Sequence, residues 1–376
     1  LLSRRLGEGD RKAADRVANN GLLLMVASWA VFAVFGLFFS ELFFSFFTKN
    51  PEVAQGGAAY LRICLVFSLG MFLQICLERL IQVTGKTIYQ MASQLTGAVI
   101  NIILDPILIF GMFGMPKMGV AGAAAATVIG QWIGCCVCLW LNLRHNNEVK
   151  LRISALRFDL PTVKSIYSVG LPSIIMQSIS SVMTFGMNFI LAGFSETAVS
   201  VLGIYFKLQN FVFMPGFGLT SALVPIVGYN YGAAKKQRIL ACTKIAMISI
   251  TVIMIFGTAL FQLFPGQLLA LFNDGGDLAR IGEPALRIIS LSFVFAGIAI
   301  VLSSLFQALG EGLHSLLMSA FRQLVLILPI AWLLSLPGNV NLVWYSFLIA
   351  EAVSLCFALT LFRRSYNTKI KHLGGV

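Results

Sequence analysis

Apolar stretches of about 20 residues recur along this chain from one end to the other, and no other feature limits its fold as strongly. The hydrocarbon core of a bilayer is about 30 Å thick, and an α-helix needs about 20 predominantly apolar residues to cross it. Stretches that meet this requirement cover residues 21–47, 58–83, 90–111, 119–142, 165–194, 197–229, 239–262, 282–309, 313–336 and 341–363. The sequence therefore predicts an all-α polytopic membrane protein with about ten transmembrane helices.

Composition supports the same class, and the charges indicate which loops share a side. Of the 376 residues, 58% are hydrophobic and 11% are charged, whereas soluble domains carry about 25% charged residues. The net charge of +12 is concentrated in segments 3–16, 144–157, 233–238 and 363–371. Even numbers of spans separate these segments, so they share one side, which the positive-inside rule identifies as the cytoplasm. We expect both chain ends to be cytoplasmic, and this asymmetry explains the basic charge without a nucleic-acid partner.

The second part of the chain repeats the first in a single alignment register, which we call the repeat register. In this register four pairs of identical residues coincide, namely Gly7 with Gly232, Arg62 with Arg287, Gln82 with Gln307 and Gly85 with Gly310. Because an even number of spans separates matching loops, the halves share one orientation, as in transporters built from parallel repeats. The sequence predicts an amino-terminal lobe, 1–150, and a carboxy-terminal lobe, 151–376, with six helices in the second. The first lobe holds fewer spans, so we expect that its first two helices are missing and that the chain is truncated.

An acidic residue, Asp105, stands inside the apolar run "NIILDPILIF" of residues 101–110. An ionisable group near the bilayer centre costs at least about 2.5–3.5 kcal/mol, so it requires partners or a function. Asn101 lies four residues earlier and leaves the same helical face. Pro106 lacks an N–H, which leaves the carbonyl one turn before it without a helical partner. The sequence therefore predicts a polar, locally irregular helix face.

The next span runs antiparallel to this one across the short turn "GMPKM". Counting from the shared end, with a helical rise of about 1.5 Å per residue, places Thr127 and Gln131 at the depths of Asp105 and Asn101. Small residues, among them Gly122 and the run 123–126, allow the two helices to approach closely. Asn101, Asp105, Thr127 and Gln131 are therefore the candidate site for a proton or cation, Na⁺ included. The alternative is that Asp105 is a packing carboxylate that Asn101 and Thr127 satisfy.

Polar residues in other spans have competing interpretations. Arg322 and Glu351 lie on consecutive antiparallel spans at similar depths, which predicts a structural ion pair. Glu78 lies near the cytoplasmic end of its span, where we expect solvent to reach it. Four residues within span 197–229 are candidates for lining a substrate cavity: Lys207, Gln209, Asn210 and Met214. The alternatives are that Lys207 pairs with a partner elsewhere in the protein and that Met214 packs between helices. The seven cysteines fall in or beside apolar spans and are interpreted as packing residues.

Several segments resemble the bacterial multidrug and toxic compound extrusion (MATE) transporters. They are "SRRLGEGDRKAA", "NIILDPILIFGMFGMPKMGVAGAAAATVIGQ", "SVGLPSIIMQ" and "PIVGYNYGAAKKQR", and the similarity extends over nearly the whole chain. The resemblance implies twelve helices in two lobes, with export of organic cations driven by inward flow of H⁺ or Na⁺ and no cofactor. It also implies that Asn101, Asp105 and Thr127 belong to the ion site of the amino-terminal lobe. That site further uses an acid on the first helix, which this chain is expected to lack.

Other functions have less support from the residues. A flippase for lipid-linked oligosaccharides needs several cationic side chains facing its cavity, and only Lys207 and Arg322 are buried candidates. An intramembrane enzyme lacks a catalytic constellation, since "GEGD" at residues 7–10 lies in a basic loop and the histidines form no metal motif. The two-lobed repeat argues against a scaffold. The sequence therefore favours a monomeric antiporter of the bacterial inner membrane that takes small organic cations and is not an enzyme.

Overall fold

The computed structural model describes residues 1–146, 148, 158–272 and 276–373, and this part of the chain contains helices and no strands. The first six helices are α1 (Leu2–Gly7), α2 (Arg11–Phe47), α3 (Pro51–Val66), α4 (Leu69–Val83), α5 (Thr87–Phe110) and α6 (Val120–His145). The next six are α7 (Leu160–Ala192), α8 (Glu196–Gly232), α9 (Lys236–Leu263), α10 (Pro265–Ala270), α11 (Gly276–Ser290) and α12 (Phe293–Ala308). The last are α13 (Gly312–Ala320), α14 (Leu328–Ser335) and α15 (Val340–Ser365), with π-helical segments at Phe321–Ile327 and Tyr366–Ile370.

These helices supply up to ten membrane crossings in the described ranges. Eight helical segments are individually long and apolar enough to cross a bilayer, and two bent pairs, α3 with α4 and α11 with α12, qualify as one span each. The predicted class of polytopic helical membrane protein is confirmed. The first span begins earlier than its apolar stretch because Asp10 caps α2, its carboxylate accepting a hydrogen bond from the Ala13 N–H at 2.9 Å.

The bend between α3 and α4 measures 47°. A break in a membrane helix leaves backbone carbonyls that need partners from within the protein. Two indole groups provide them, because Trp29 Nε1 donates to the Val66 carbonyl at 3.0 Å and Trp132 Nε1 donates to that of Phe67 at 3.1 Å. The neighbouring helices α2 and α6 therefore stabilise the bend with side-chain donors.

The bend between α11 and α12 measures 50° and is stabilised in the same way by a different pair of side chains. Thr258 Oγ1, on α9, donates to the Ser290 carbonyl at 3.0 Å. Gln262 Nε2, one turn later, donates to the Arg287 carbonyl at 2.7 Å. Each half of the repeat thus contains a broken span whose free carbonyls are satisfied by adjacent helices.

The turns between spans also recur in the repeat register. Gly85 and Gly310 both have positive φ angles, +79° and +75°. The Gly85 N–H donates to Gln82 O at 3.0 Å, and the Gly310 N–H donates to Gln307 O at 3.1 Å. Glycine is required here because the left-handed region is costly for residues with a Cβ. The residues that revealed the repeat therefore form the same helix-ending turn in both halves.

The described chain divides into two compact units, Leu2–Lys164 and Ser165–Val376. The predicted lobe boundary at residues 150 and 151 lies outside the described residues. In the first unit, α4 and α6 pack around Leu77, Ile81 and Cys138. In the second, α8, α9, α11, α12 and α15 surround a larger core whose fully buried members include Trp344, Tyr205, Phe261 and Phe293. All seven cysteines are free thiols.

Candidate functional site

Three of the four predicted coupling residues meet between α5 and α6. Asn101 Nδ2 donates to Asp105 Oδ1 at 3.3 Å and lies 3.4 Å from Thr127 Oγ1. The Thr127 hydroxyl donates its own proton to the Ala123 carbonyl at 2.9 Å, so its lone pairs face the Asn101 amide. All three side chains are partly buried. We call Asn101, Asp105 and Thr127 the Asp105 cluster.

Close backbone contact between α5 and α6 brings these side chains together. A Cβ placed on Gly122 would lie 2.4 Å from the Leu108 carbonyl oxygen, and one on Gly130 would lie 2.7 Å from that of Gly97. Real Cβ atoms do not approach backbone oxygens so closely, so both positions need glycine at this helix separation. Short interhelical distances allow a side chain as short as that of Asn101 to reach across to α6.

Helix α5 continues through a proline near its carboxy-terminal end. Pro106 lies inside the helix and has no N–H to donate one turn back, which frees a carbonyl oxygen at the level of the Asp105 cluster. After α5 ends, the returning chain satisfies its last carbonyls, because the Met118 N–H donates to Leu108 O at 3.0 Å and the Gly119 N–H donates to Ile109 O at 3.2 Å. The turn therefore fixes the register of α6 against α5.

One predicted residue stands apart from this cluster, and one was missed. Gln131, one turn beyond Thr127 on α6, is partly buried and forms no described hydrogen bond with the other three residues. Tyr60, on α3, has its hydroxyl in electrostatic contact with Cys64, Thr127 and Asp105. Sequence spacing did not reveal Tyr60, because the bend after α3 sets the depth and direction of that helix. The one indication in the sequence was that Tyr60 places a polar phenol hydroxyl within an apolar span.

The electrostatics of the Asp105 cluster are those of an acid without a counter-ion. No Lys, Arg or His side chain lies within ion-pair distance of Asp105 in the described residues. Its neighbours are an amide and hydroxyl groups, which can support either a proton or a hard monovalent cation bound to carboxylate oxygen. No group of three or more His, Cys, Asp or Glu side chains suited to a metal ion occurs in the described ranges.

The four cavity-lining candidates on α8 do not form one cluster. Lys207, Asn210 and Met214 follow helical spacing, so they share a face, whereas Gln209 lies on another. Met214 is exposed on that shared face. The Lys207 ammonium lies 5.6 Å from the centroid of the Phe272 ring, which is within cation–π distance.

A buried ion pair lies in the second unit. Arg322 Nη1 donates to Glu351 Oε1 at 2.8 Å, and the Glu351 residue is 6% exposed. Arg322 belongs to the π-helical segment between α13 and α14. Arg322 Nε and Glu351 Oε2 have no hydrogen-bond partner, so the contact is a single bond rather than a bidentate pair.

Glu78 is not solvated, and the sequence-based expectation for it is wrong. The residue is 5% exposed, and its carboxylate accepts hydrogen bonds from Gln74, Ser93 and Gln94. Its depth within α4 alone suggested access to solvent. The packing of α5 and α6 over that end of α4 removes the access.

A family model described as MatE matches residues 1–107 and 172–333. The chain belongs to the MatE family. The multidrug export protein MepA of Staphylococcus haemolyticus is 28% identical to this MatE protein over 362 residues, covering 96% of the chain and 78% of the relative. MepA of Staphylococcus saprophyticus is 27% identical over 367 residues, with the same coverage.

Solved structures agree with this fold. A MATE crystal structure in the bent conformation superposes with a TM-score of 0.91 at 24% identity, covering all of this chain and 83% of that one. A transporter of the MOP superfamily from Pyrococcus furiosus gives a TM-score of 0.90 at 23% identity, with the same coverage. The predicted MATE-type fold is therefore confirmed.

Membership in the family settles the broad class of this protein. It is a transporter and not an enzyme, it needs no cofactor, and its apolar helices and bacterial relatives make it a multi-pass protein of the bacterial inner membrane. The relatives and structures described here give no support to the flippase alternative.

Proposed function

We propose that this MatE protein is a secondary active antiporter that exports organic cations in exchange for H⁺ or Na⁺, with Asp105 as the coupling acid. The observation that carries the proposal is the Asp105 cluster itself, an intramembrane carboxylate hydrogen-bonded to Asn101 and free of any described counter-ion. Such groups are costly in a membrane and commonly mark ion pathways. The relatives named MepA, described as multidrug export proteins, support the direction and the substrate class.

Energetics require that ion entry and substrate exit be linked at this site. Moving a monovalent organic cation outward against the membrane potential costs about 2.3 kcal/mol per 100 mV. Inward movement of one coupling cation recovers a similar amount and adds the energy of its concentration gradient. Asp105 changes from an uncompensated negative charge to a neutral or ion-paired group when the coupling ion binds. That change alters the local cost of burial and can therefore bias the protein between two conformations.

In the proposed coupling mechanism, Asn101 and Thr127 orient the Asp105 carboxylate. The Asn101 amide donates to the carboxylate and holds its orientation, while Thr127 accepts from Asn101 and fixes the amide. If the ion is H⁺, the carboxyl takes it directly. If the ion is Na⁺, the oxygens of Asp105, Asn101 and Thr127 supply the hard ligands that it prefers. Gln131, one turn away, is proposed to complete the polar face of α6.

Substrate contact and topology complete the proposal. The face of α8 that carries Lys207, Asn210 and Met214 is proposed to contact the substrate, with Gln209 beside it and a soft, polarisable methionine suited to flat organic cations.

Both chain ends are proposed to be cytoplasmic, because the basic connections follow the positive-inside rule. The protein is proposed to act as a monomer, because each unit encloses its own core.

The experiment compares Asp105→Asn with the wild type in cells that lack their own efflux pumps. The substitution keeps the size of the side chain and removes its charge. At matched membrane abundance, export of ethidium should fall to the level of cells without the protein. Asp277→Asn, the same change at an exposed position near the start of α11, is the matched control and should export normally. Wild-type export by Asp105→Asn would instead make Asp105 a packing carboxylate.

A further inference from the structure

The turn that joins α8 to α9 has the same backbone structure as the turn that joins α1 to α2. In the repeat register, Lys235 corresponds to Asp10. The N–H groups of these two residues each donate to the carbonyl oxygen five residues earlier, at 2.9 Å and 3.1 Å respectively. The preceding residues, Ala234 and Gly9, both have positive φ angles, +55° and +77°. The two halves therefore build one kind of turn with two different sets of side chains.

The first of these turns contains two acids that the second lacks. Glu8 accepts hydrogen bonds from two arginines of α1 at 3.0 Å and 2.9 Å, and Asp10 caps α2. The corresponding residues of the second turn are Ala233 and Lys235. Among the described residues no side chain caps α9, and Lys235 brings a positive charge to a helix start, where the macrodipole favours a negative one. The second turn thus has a cation where the first has a carboxylate.

The carboxy-terminal tail adds further cations beside the second turn. Lys236 Nζ donates to the Lys371 carbonyl oxygen at 3.1 Å and lies 5.8 Å from the centroid of the Tyr366 ring. This contact holds the tail against the first turn of α9. We define the basic surface as five residues of these two segments: Lys235, Lys236, Arg238, Lys369 and Lys371.

The basic surface has no acidic partner in the described part of the chain. None of its five cations belongs to a described ion pair, and the segments 197–272 and 352–373 contain no acidic residue. Glu311, on the turn before α13, has His314 Nδ1 at 3.3 Å. In the first half, by contrast, segment 3–16 contains three acids beside its five basic residues. Like charges held close together repel, so an external anion would stabilise the basic surface.

An apolar face of α9 continues from the basic surface. Arg238, Ile245, Ile248 and Val252 share one face of the helix by their spacing, and all four side chains are exposed. Helix α9 is long and apolar enough to cross a bilayer, so its first turn lies at the membrane surface and the three apolar residues lie in the hydrocarbon. An amphiphile with an anionic headgroup matches a cation followed by apolar side chains, whereas a free anion matches only the first turn.

We propose that the basic surface binds the headgroups of anionic phospholipids, with their acyl chains along the exposed face of α9. The phosphate oxygens accept hydrogen bonds from the ammonium and guanidinium groups and from the N–H groups at the start of α9. Clusters of basic residues beside a membrane helix recognise such headgroups in other proteins. The turn between α1 and α2 does not share this property, because Glu8 and Asp10 supply its negative charges. The site lies in the carboxy-terminal unit and does not depend on Asp105 or on the ion that Asp105 binds.

The test is native mass spectrometry of the purified full chain in detergent, which resolves bound lipids by mass. The protein is titrated separately with phosphatidylglycerol, which is anionic, and with phosphatidylethanolamine, which is zwitterionic and has the same acyl chains. The wild type should bind phosphatidylglycerol more tightly. Each cation near an anionic headgroup contributes about a fivefold factor in affinity. Lys235→Asp introduces the residue of the first turn and changes the charge by two, so it should weaken phosphatidylglycerol binding about 25-fold.

Lys117→Asp is the matched control, because it makes the same charge change at an exposed position between α5 and α6 and should bind phosphatidylglycerol as the wild type does. If Lys235→Asp does not fold, Arg238→Gln provides the same test with an expected loss of about fivefold. Equal affinity of the wild type for the two lipids, an equal loss in Lys117→Asp, or displacement of the lipid by inorganic phosphate would overturn the proposal. The measurement needs no transport activity, so its failure is distinguishable from failure of the proposed antiport.

Discussion

Helix α5 and its repeat in the carboxy-terminal unit have the same length, but two polar residues of α5 are replaced by apolar residues in the repeat. In the repeat register, α5 from Thr87 to Phe110 corresponds to the segment from Gly312 to Ser335. Asn101 and Asp105 correspond to Leu326 and Ile330. A pair required only for folding would be expected in both halves. The fold therefore does not demand an acid at this position, which supports a function for Asp105.

The same comparison shows that the buried carboxylates of the two units have different kinds of partner. The position of Arg322 in the second unit corresponds to Gly97 in the first. Arg322 neutralises Glu351, whereas Gly97 has no side chain and allows the backbone of α6 to approach closely. Asp105 and Glu78 have neutral hydrogen-bond partners in the described residues. The buried carboxylate of the carboxy-terminal unit thus has a cationic partner, whereas the two of the amino-terminal unit have amide and hydroxyl partners.

The largest expected effect comes from breaking the ion pair of the second unit. Arg322→Met or Glu351→Leu leaves one charge buried and uncompensated, which costs about 3–5 kcal/mol in such pairs. Each single variant should give much less folded protein in the membrane. The double variant should recover, because it removes both charges. Fluorescence-detected size-exclusion chromatography of the three variants measures this. A double variant no better folded than the worse single one would contradict pairing as the stabilising interaction.

A smaller effect should follow from separating α5 and α6 in the first unit. Gly130→Ala places a Cβ 2.7 Å from the Gly97 carbonyl oxygen, so the two backbones must move apart. Overpacking of this kind typically costs about 1–3 kcal/mol. We expect a lower thermal unfolding temperature and weaker ethidium export, because Asn101 would no longer reach Thr127.

Gly21→Ala on α2 is the matched control for this substitution. No atom lies within 4 Å of the Cβ that it would add. Alanine in a helix interior is favoured over glycine by about 0.5–1 kcal/mol, so this variant should be as stable as the wild type or slightly more so. Equal unfolding temperatures for Gly130→Ala and Gly21→Ala would show that the close contact between α5 and α6 is not required.

The smallest effect on stability is expected when the first unit is made to resemble the second. Asn101→Leu introduces the residue found at the equivalent position, Leu326, and removes the hydrogen bond to Asp105. Losing this bond, which is long at 3.3 Å, should change the free energy of unfolding by about 0.5–1.5 kcal/mol. Export should nevertheless be strongly reduced, whereas Leu326→Ile should change it little. Normal efflux of ethidium by Asn101→Leu would remove the amide from the proposed coupling site.

Local spacing predicted much of this structure. Helical periodicity placed Asn101 and Asp105 on one face, and depth counting brought Thr127 to the same level, because both depend only on the regular rise of a helix. The same counting placed Arg322 opposite Glu351. The apolar stretches indicated the spans, although their bends did not follow from hydrophobicity. Those bends depend on donors from neighbouring helices, such as the indoles of α2 and α6.

Burial by other helices was the main property that spacing could not predict. Glu78 is only about one and a half turns from a helix end, and its isolation from solvent results from the way α5 and α6 cover α4. Tyr60 interacts with the Asp105 cluster from a third helix, α3. Both features depend on three-helix packing, which a pairwise count of residue depths does not include.

The most direct test of the account measures whether ion flow and substrate flow are linked through Asp105. Wild-type protein and Asp105→Asn are reconstituted in vesicles, and ethidium transport is followed while a proton or sodium gradient is imposed and then collapsed with an ionophore. The wild type should transport ethidium against its gradient only while one of the two ion gradients persists. Asp105→Asn should not respond to either gradient. If the variant transports at the wild-type rate and still stops when the gradient is collapsed, another group couples the ion and Asp105 is a packing residue.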